Sequence, residues 1–232
     1  AKTFWTRTYP RAPVEGIFSL VGRGRSVAAH FDTSPQIALL TDLRAEPVTI
    51  GAAPETTSDL FLLDERSVAF GVYEGSAHVA SLDRTQSIRL PGTPLTAGGN
   101  PAGDERYVAY SRLPAGVSPR IMRSEMVLRD RRTGDERVLS TTPTTIEKIS
   151  PFVAGDWVVW VEIDVDGYDR PAETQRSIWA HRISTGRTER LISGLVIRYP
   201  FIMDGKVYFR VETLDPARGW ENNGLYETAL PE

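Results

Sequence analysis

One valine recurs five times along this chain, and its recurrence limits the possible folds more than any other feature of the sequence. It stands at Val27, Val68, Val108, Val158 and Val207, at intervals of 41, 40, 50 and 49 residues. A turn containing Gly or Asp comes just before each copy: Gly24-Arg25-Ser26, Asp64-Glu65-Arg66-Ser67, Asp104-Glu105-Arg106-Tyr107, Gly155-Asp156-Trp157 and Asp204-Gly205-Lys206. Two residues beyond the valine stand Ala29, Phe70, Tyr110, Trp160 and Phe209. Strand residues two apart point the same way, so the valine and its follower share a side, and that side should face a neighbouring repeat.

Self-similarity at a period of about 40 to 50 residues marks propellers and solenoids. A second apolar run follows each anchor, at Ile37 to Leu40, His78 to Leu82, Met126 to Leu128, Ile178 to Ala180 and Leu225 to Tyr226, and reads as a third strand. Polar turns then lead to fourth strands at Val48 and Ile50, Ile88 and Leu90, Val138-Leu139 and Leu191-Ile192. Thr133-Gly134 and Thr185-Gly186 fit hairpin turns that need positive φ. The innermost strand precedes the anchor, as in Pro151-Phe152-Val153-Ala154 and Pro200-Phe201-Ile202-Met203, with proline expected as its first residue.

The fifth copy stops at Thr228 to Leu230 without a fourth strand, whereas Lys2 to Thr8, with Phe4 and Trp5, is strand-like and has no repeat of its own. Pairing the two would remove an open edge. The expected fold is therefore all-β: a five-bladed β-propeller of four-stranded antiparallel blades in one domain, residues 1–232, with blades at approximately 16–50, 58–90, 99–139, 150–192 and 198–230. The strand at 2–8 completes the last blade.

A proline-led inner strand, a Gly/Asp turn, a Val-x-aromatic strand and a Thr-Gly hairpin together resemble the TolB-like group of bacterial propeller repeats. Copies four and three, Ser150 to Ile192 and Asn100 to Leu139, carry the resemblance best. It implies an architecture and, with a start at Ala1 that suits a processed chain, an extracytoplasmic location, periplasmic or secreted. The partners of the group's namesake are not carried over.

Composition excludes several functions. The 27 basic and 30 acidic residues are interspersed and give a net charge of -3, leaving no basic stripe to follow a nucleic acid. No run approaches the roughly 20 apolar residues of a membrane span. Without cysteine there are no disulfides, thiol nucleophiles or thiolate metal sites. No Gly-x-Ser-x-Gly elbow, phosphate-binding glycine loop or histidine metal pair occurs, and His30, His78 and His181 fall in or at the end of expected strands, where they read as structural.

Function is expected where the repeats diverge. Copies three to five place extra residues between strands two and three, in loops read as Arg112 to Arg123, Ile163 to Arg176 and Thr213 to Asn223. Long loops on a rigid frame carry binding groups. The expected function is non-enzymatic recognition of a protein partner through this face, with Arg112, Arg120, Arg123, Tyr168, Asp169, Trp220, Glu221 and Asn222 as binding residues; a glycan is the second choice of ligand. No cofactor is required, although Asp164, Asp166 and Asp169 offer oxygen ligands for calcium without the spacing of a full calcium loop. The alternative is a glycan-binding or glycoside-hydrolysing five-bladed propeller with Glu15, Asp59 and Glu147 near the starts of inner strands. The oligomeric state is open.

Overall fold

The alternation around each valine is realised as strand. The computed structural model describes residues 17–23, 26–31, 36–41, 48–52, 57–72, 77–83, 87–91, 101–114, 124–140, 146–164, 176–194, 196–215 and 219–232. All regular structure among them is β. Sheet one comprises β1 (Ile17–Arg23), β2 (Ser26–Phe31), β3 (Gln36–Leu40) and β4 (Val48–Ala52). Sheet two comprises β5 (Thr57–Asp64), β6 (Ser67–Val72), β7 (Ala77–Ser81) and β8 (Ile88–Arg89). Sheet three comprises β9 (Ala102–Gly103), β10 (Tyr107–Arg112), β11 (Glu125–Asp130) and β12 (Glu136–Val138). Sheet four comprises β13 (Ile146–Ala154), β14 (Trp157–Asp164), β15 (Arg176–Arg182) and β16 (Thr188–Gly194). Sheet five comprises β17 (Val196–Met203), β18 (Lys206–Asp215) and β19 (Gly219–Ala229).

Every sheet is an antiparallel meander in chain order. The first strands pack in succession, β1 on β5, β5 on β9, β9 on β13 and β13 on β17, so the sheets gather around a line of first strands, an arrangement that fits propeller blades. Residues 2–8, read as a closing strand, lie outside the described residues.

The anchor valine and its follower face the preceding sheet, and the residue between them faces the following one. Val68 and Phe70 pack with Ala28, Ile37 and Leu39 of sheet one. Val108 and Tyr110 pack with Ala69 of sheet two, Val158 and Trp160 with Ala109 of sheet three, and Val207 and Phe209 with Val159 of sheet four. Phe70, Tyr110 and Trp160 are wholly buried. Burying one such ring contributes about 1.5–3 kcal/mol, so these pegs dominate each junction.

Polar ties reinforce the junctions at the hairpin end. The Ser26 hydroxyl donates to the Glu65 carbonyl at 3.4 Å, between sheets one and two. Arg131 reaches from sheet three to Asp64 at 2.8 Å and to Ser67 Oγ at 2.5 Å. Burial pulls the Asp64 carboxyl upward, but hydrogen bonds from Ser67, the Arg66 N–H and Arg131 outweigh it and hold its pKa below the usual range. Between sheets three and four, Arg137 donates to the Ile183 carbonyl at 3.1 Å, and Thr188 Oγ1 donates to the Leu139 carbonyl at 3.3 Å. Thr188 Oγ1 also lies 2.7 Å from His181 Nδ1, and burial, with Arg137 nearby, lowers the His181 pKa to about 4. His78 stacks on Phe70 at 5.3 Å. Both histidines are built into the sheets, as expected; the side chain of His30 lies outside the described residues.

One detail of the sequence reading changes. The prolines do not open the inner strands: β13 begins at Ile146 and β17 at Val196, and Pro151 and Pro200 sit at bulges inside them. Ser150 and Tyr199, just before them, have φ of 50° and 52°. Proline cannot donate to the ladder, and a bulge is the place inside a strand where that donor is not missed. The Thr-Gly hairpins form as expected, with φ of 83° at Gly134 and 73° at Gly186.

Gly103 allows β9 to lie close against its neighbours: a Cβ there would stand 2.2 Å from the Tyr107 carbonyl oxygen and 2.7 Å from Leu63 Cδ2. Gly103→Ala is expected to cost about 1–3 kcal/mol by overpacking, read as a lower urea midpoint at unchanged slope. An unchanged midpoint would show that β9 is not packed this tightly.

Candidate functional site

The repeat locates a charged layer beneath the long connections. Two residues past the aromatic, on the same strand side, stand Val72, Arg112, Glu162 and Val211. The position is charged only in sheets three and four. Their second-to-third connections, 113–124 and 165–175, are also the long ones; sheets one and two use 32–35 and 73–76.

Between sheets three and four, Glu162 lies directly across from Lys148 in the β13–β14 register and accepts a hydrogen bond from the Trp160 indole at 3.1 Å. Lys148 is 1% exposed and Glu162 3%. Burial lowers the Lys148 pKa, opposed by the carboxylates of Glu162 and Glu125. Two serines of sheet three grip the backbone of the same lysine. Its N–H donates to Ser124 Oγ at 2.7 Å, and its carbonyl accepts from Ser124 at 3.2 Å and from Ser111.

On the other side of sheet three, Arg112 pairs with Glu125 at 3.0 Å and with Glu136 at 3.1 Å. Glu136 also accepts from Arg129 at 2.7 Å and from the Tyr110 hydroxyl at 2.8 Å; burial and this carboxylate push the Tyr110 phenol pKa well above its usual value. Towards sheet five, Glu147 and Arg176 flank Ile163 in register, and both are buried. Further along, Glu212 of β18 pairs with Arg198 at 2.8 Å. Partly buried ion pairs of this kind add little net stability, and breaking one costs more the further it is from water. Their effect here is to fix the strand ends from which the long connections leave.

The structure rearranges the residues read from the sequence. Arg112 is engaged by Glu125 and Glu136 within its own sheet. Glu147 is fully buried on the side of β13 that packs on sheet five. The third long loop is not a loop. β18 and β19 continue as a paired hairpin, with Leu214 opposite Trp220 and Thr213 opposite Glu221, and only 216–218 remain between the strands. Trp220, Glu221 and Asn222 are thus placed on β19, Asp59 on β5 and Asp164 at the end of β14, while their side chains lie outside the described residues. Glu15, Arg120, Arg123, Asp166, Tyr168 and Asp169 lie outside them too. Among the described residues no group of three or more His, Asp or Glu side chains is disposed to hold a metal.

Sequence reasoning missed Lys148, Glu162, Glu125 and Glu136. Extending the alignment of the copies two residues past the aromatic would have found Glu162, a charge continuing the Val158-Trp160 face.

Concave regions accompany this layer. Where the first strands converge, Leu60, Phe61, Ala102, Pro151, Phe152 and Phe201 help line an apolar cavity of about 230 Å³, with Phe61 and Phe152 edge to face at 5.5 Å. At the hairpin end, a groove of about 850 Å³ between sheets three and four is lined by carboxylates, among them Asp104 and Asp156, together with Arg106 and Arg137. Its carboxylates cap turns: Asp104 accepts from the Tyr107 N–H at 2.8 Å and Asp156 from the Ser184 N–H at 2.8 Å.

Lys148→Ala is expected to destabilise the protein by about 3–5 kcal/mol, because it strands Glu162 in the junction. Lys148→Met combined with Glu162→Gln, which keeps an acceptor for the Trp160 indole, should recover most of that loss in urea unfolding. Equal losses in the single and double variants would mean that the two residues are not coupled.

No family model matches the chain, and no curated protein matches it. Among solved structures it is similar to a putative TolB from Agrobacterium tumefaciens, at 14% identity and a TM-score of 0.59, over 94% of this chain and 83% of that one. It is similar to a nidogen/laminin complex at 16% identity and a TM-score of 0.55, over 92% and 81%. A TolB from Acinetobacter baumannii shares 14% identity at a TM-score of 0.50, over 88% of this chain and 49% of that one. At such identities the likeness is one of fold: the chain resembles these TolB structures in architecture, as a propeller-type assembly of antiparallel sheets.

Proposed function

We propose that this chain is a non-catalytic recognition module that binds a protein partner through the sheet ends carrying the connections of sheets three, four and five. The observation behind this reading is the asymmetry of that end: short connections at 32–35 and 73–76, long ones at 113–124 and 165–175, and a β18–β19 hairpin that projects beyond its sheet. A buried charge layer holds the roots of the two long connections. A structure of two proteins in complex, nidogen with laminin, among the similar folds supports a protein ligand. The TolB resemblance supports an extracytoplasmic location. The full burial of Glu147 weighs against its service as a general acid or base in the glycoside-hydrolysing alternative.

Tyr168, Asp169 and Trp220 form the test set on this face, and Asp164, Asp166 and Asp169 are the proposed calcium ligands. Capture from cell-envelope and culture fractions should retain a partner on the wild-type protein and lose it when Tyr168, Asp169 and Trp220 are all changed to alanine. A partner held equally by both would contradict the assignment of this face. Running the capture in calcium and in a chelator decides the metal: binding lost only in the chelator supports the site, and binding unchanged removes it.

The same reading has residues 2–8 pair with β19 as the fourth strand of sheet five. Deleting residues 1–9 is then expected to lower the thermal midpoint by several degrees. An unchanged midpoint would eliminate the closing strand.

A further inference from the structure

Alternation along β15 sends Trp179 and His181 to the side that faces sheet three, opposite Trp160 and Val158 of β14. His181 is 4% exposed there, with Thr188 across from it on β16. A buried imidazole needs partners for its polar atoms, and Nδ1 finds one in Thr188 Oγ1 at 2.7 Å. The Thr188 hydroxyl has a single proton, which it donates to the Leu139 carbonyl of sheet three at 3.3 Å. Thr188 Oγ1 therefore accepts from His181, and the proton of the neutral ring sits on Nδ1. This chain of bonds, His181 to Thr188 to Leu139, ties sheet four to sheet three. Nε2 is left as the bare nitrogen, buried and without a partner among the described residues.

A second proton on the ring has nowhere to point. The charged groups on the junction side around it are Arg137 of β12, Asp130 of β11, Arg190 of β16 and Asp156 in the turn between β13 and β14. Asp130 is held by Arg106 at 3.3 Å, Asp156 by Arg182 at 3.1 Å, and Arg190 is exposed. Burial is the largest influence on His181; the Arg137 charge adds to it, Asp156 opposes both, and the pKa falls to about 4.

We propose that His181 is an acid-operated latch on the junction of sheets three and four: neutral, it holds the sheets together through Thr188 and Leu139, whereas a proton on Nε2 places an unpartnered charge between them and forces the faces apart towards water. The ring titrates near 6.5 in the unfolded chain and near 4 in the folded one. Between these values the unfolded chain holds the extra proton, so the contribution of the latch is complete above 6.5 and is lost as the pH falls through the window. The limiting slope is a rise of about tenfold in the unfolding constant per pH unit. Asp64 and Asp156, whose carboxyls are held below the usual range, lose their contributions only at lower pH. His78, lowered by burial and by Arg89, titrates in the same direction and is common to the proteins compared below.

Urea unfolding across this window tests the latch. His181→Asn keeps a donor for Thr188 and has nothing to protonate, so acidification should raise the unfolding constant of the wild type more steeply, by up to about tenfold per pH unit. Parallel pH profiles would overturn the proposal. The wild-type ring supplies a reading that needs no variant: its nitrogen resonances should show the Nδ1–H tautomer at neutral pH and a titration midpoint near 4, and an Nε2–H tautomer or a midpoint near 6.5 would contradict it. Amide exchange at the acid end of the window locates the opening. β12 and β15 should lose protection ahead of β6 in sheet two, whereas equal loss in all three strands would mean that acid unfolds the chain as a whole and that no latch exists.

Discussion

The structure depends on a ring from one sheet seated over a small residue of the sheet before it. Sheets of this kind stack about 10 Å apart, so something large must fill the layer between them, and two large residues cannot meet there. Alternation of side chains along a strand solves this within three consecutive residues. The valine and the aromatic point back, and the alanine or valine between them points forward to receive the next ring. One short segment thereby serves two junctions, which explains why the repeat is legible there and blurred elsewhere.

Packing that is apolar at mid-strand becomes ionic towards the long connections. Trp160 shows the transition in one side chain: its ring belongs to the core with Ala109 and Met126, while its indole N–H reaches Glu162, the carboxylate facing Lys148. A core of aliphatic side chains would hold the sheets at no desolvation cost, so the charges are not explained by stability. They do fix direction and register where the strands end. Serines 111 and 124 add to this by holding the Lys148 backbone from the neighbouring sheet. Rigid roots under variable connections suit recognition, in which ordering the binding groups beforehand reduces the entropy lost on association.

Much of this was readable from the chain because period-2 alternation and turn chemistry are local. The second strands, the Thr-Gly hairpins and the direction of Val108 and Tyr110 towards a neighbouring repeat needed only a few residues of context each. What escaped the sequence depends on partners distant in the chain. Pro151 and Pro200 look like strand openers until the ladder on either side of the bulge is seen. The ion pairs of Arg112 could not be read from its neighbours in the chain, because Glu125 and Glu136 are brought to it across β11 and β12. The polar run Glu221-Asn222-Asn223 reads as loop, yet the backbone pairs it across from β18, where cross-strand hydrogen bonding overrides weak strand propensity.

The claim on which the rest stands is that the aromatic pegs hold the sheets together. Equilibrium urea unfolding of Trp160→Ala tests it most directly, since this ring sits at the junction that also carries the buried charge layer. A loss of about 3–5 kcal/mol is expected, the cost of emptying a large buried site together with the acceptor of its indole. A loss below about 1 kcal/mol, the size of an ordinary surface substitution, would contradict the account and mean that something other than the peg joins sheets three and four.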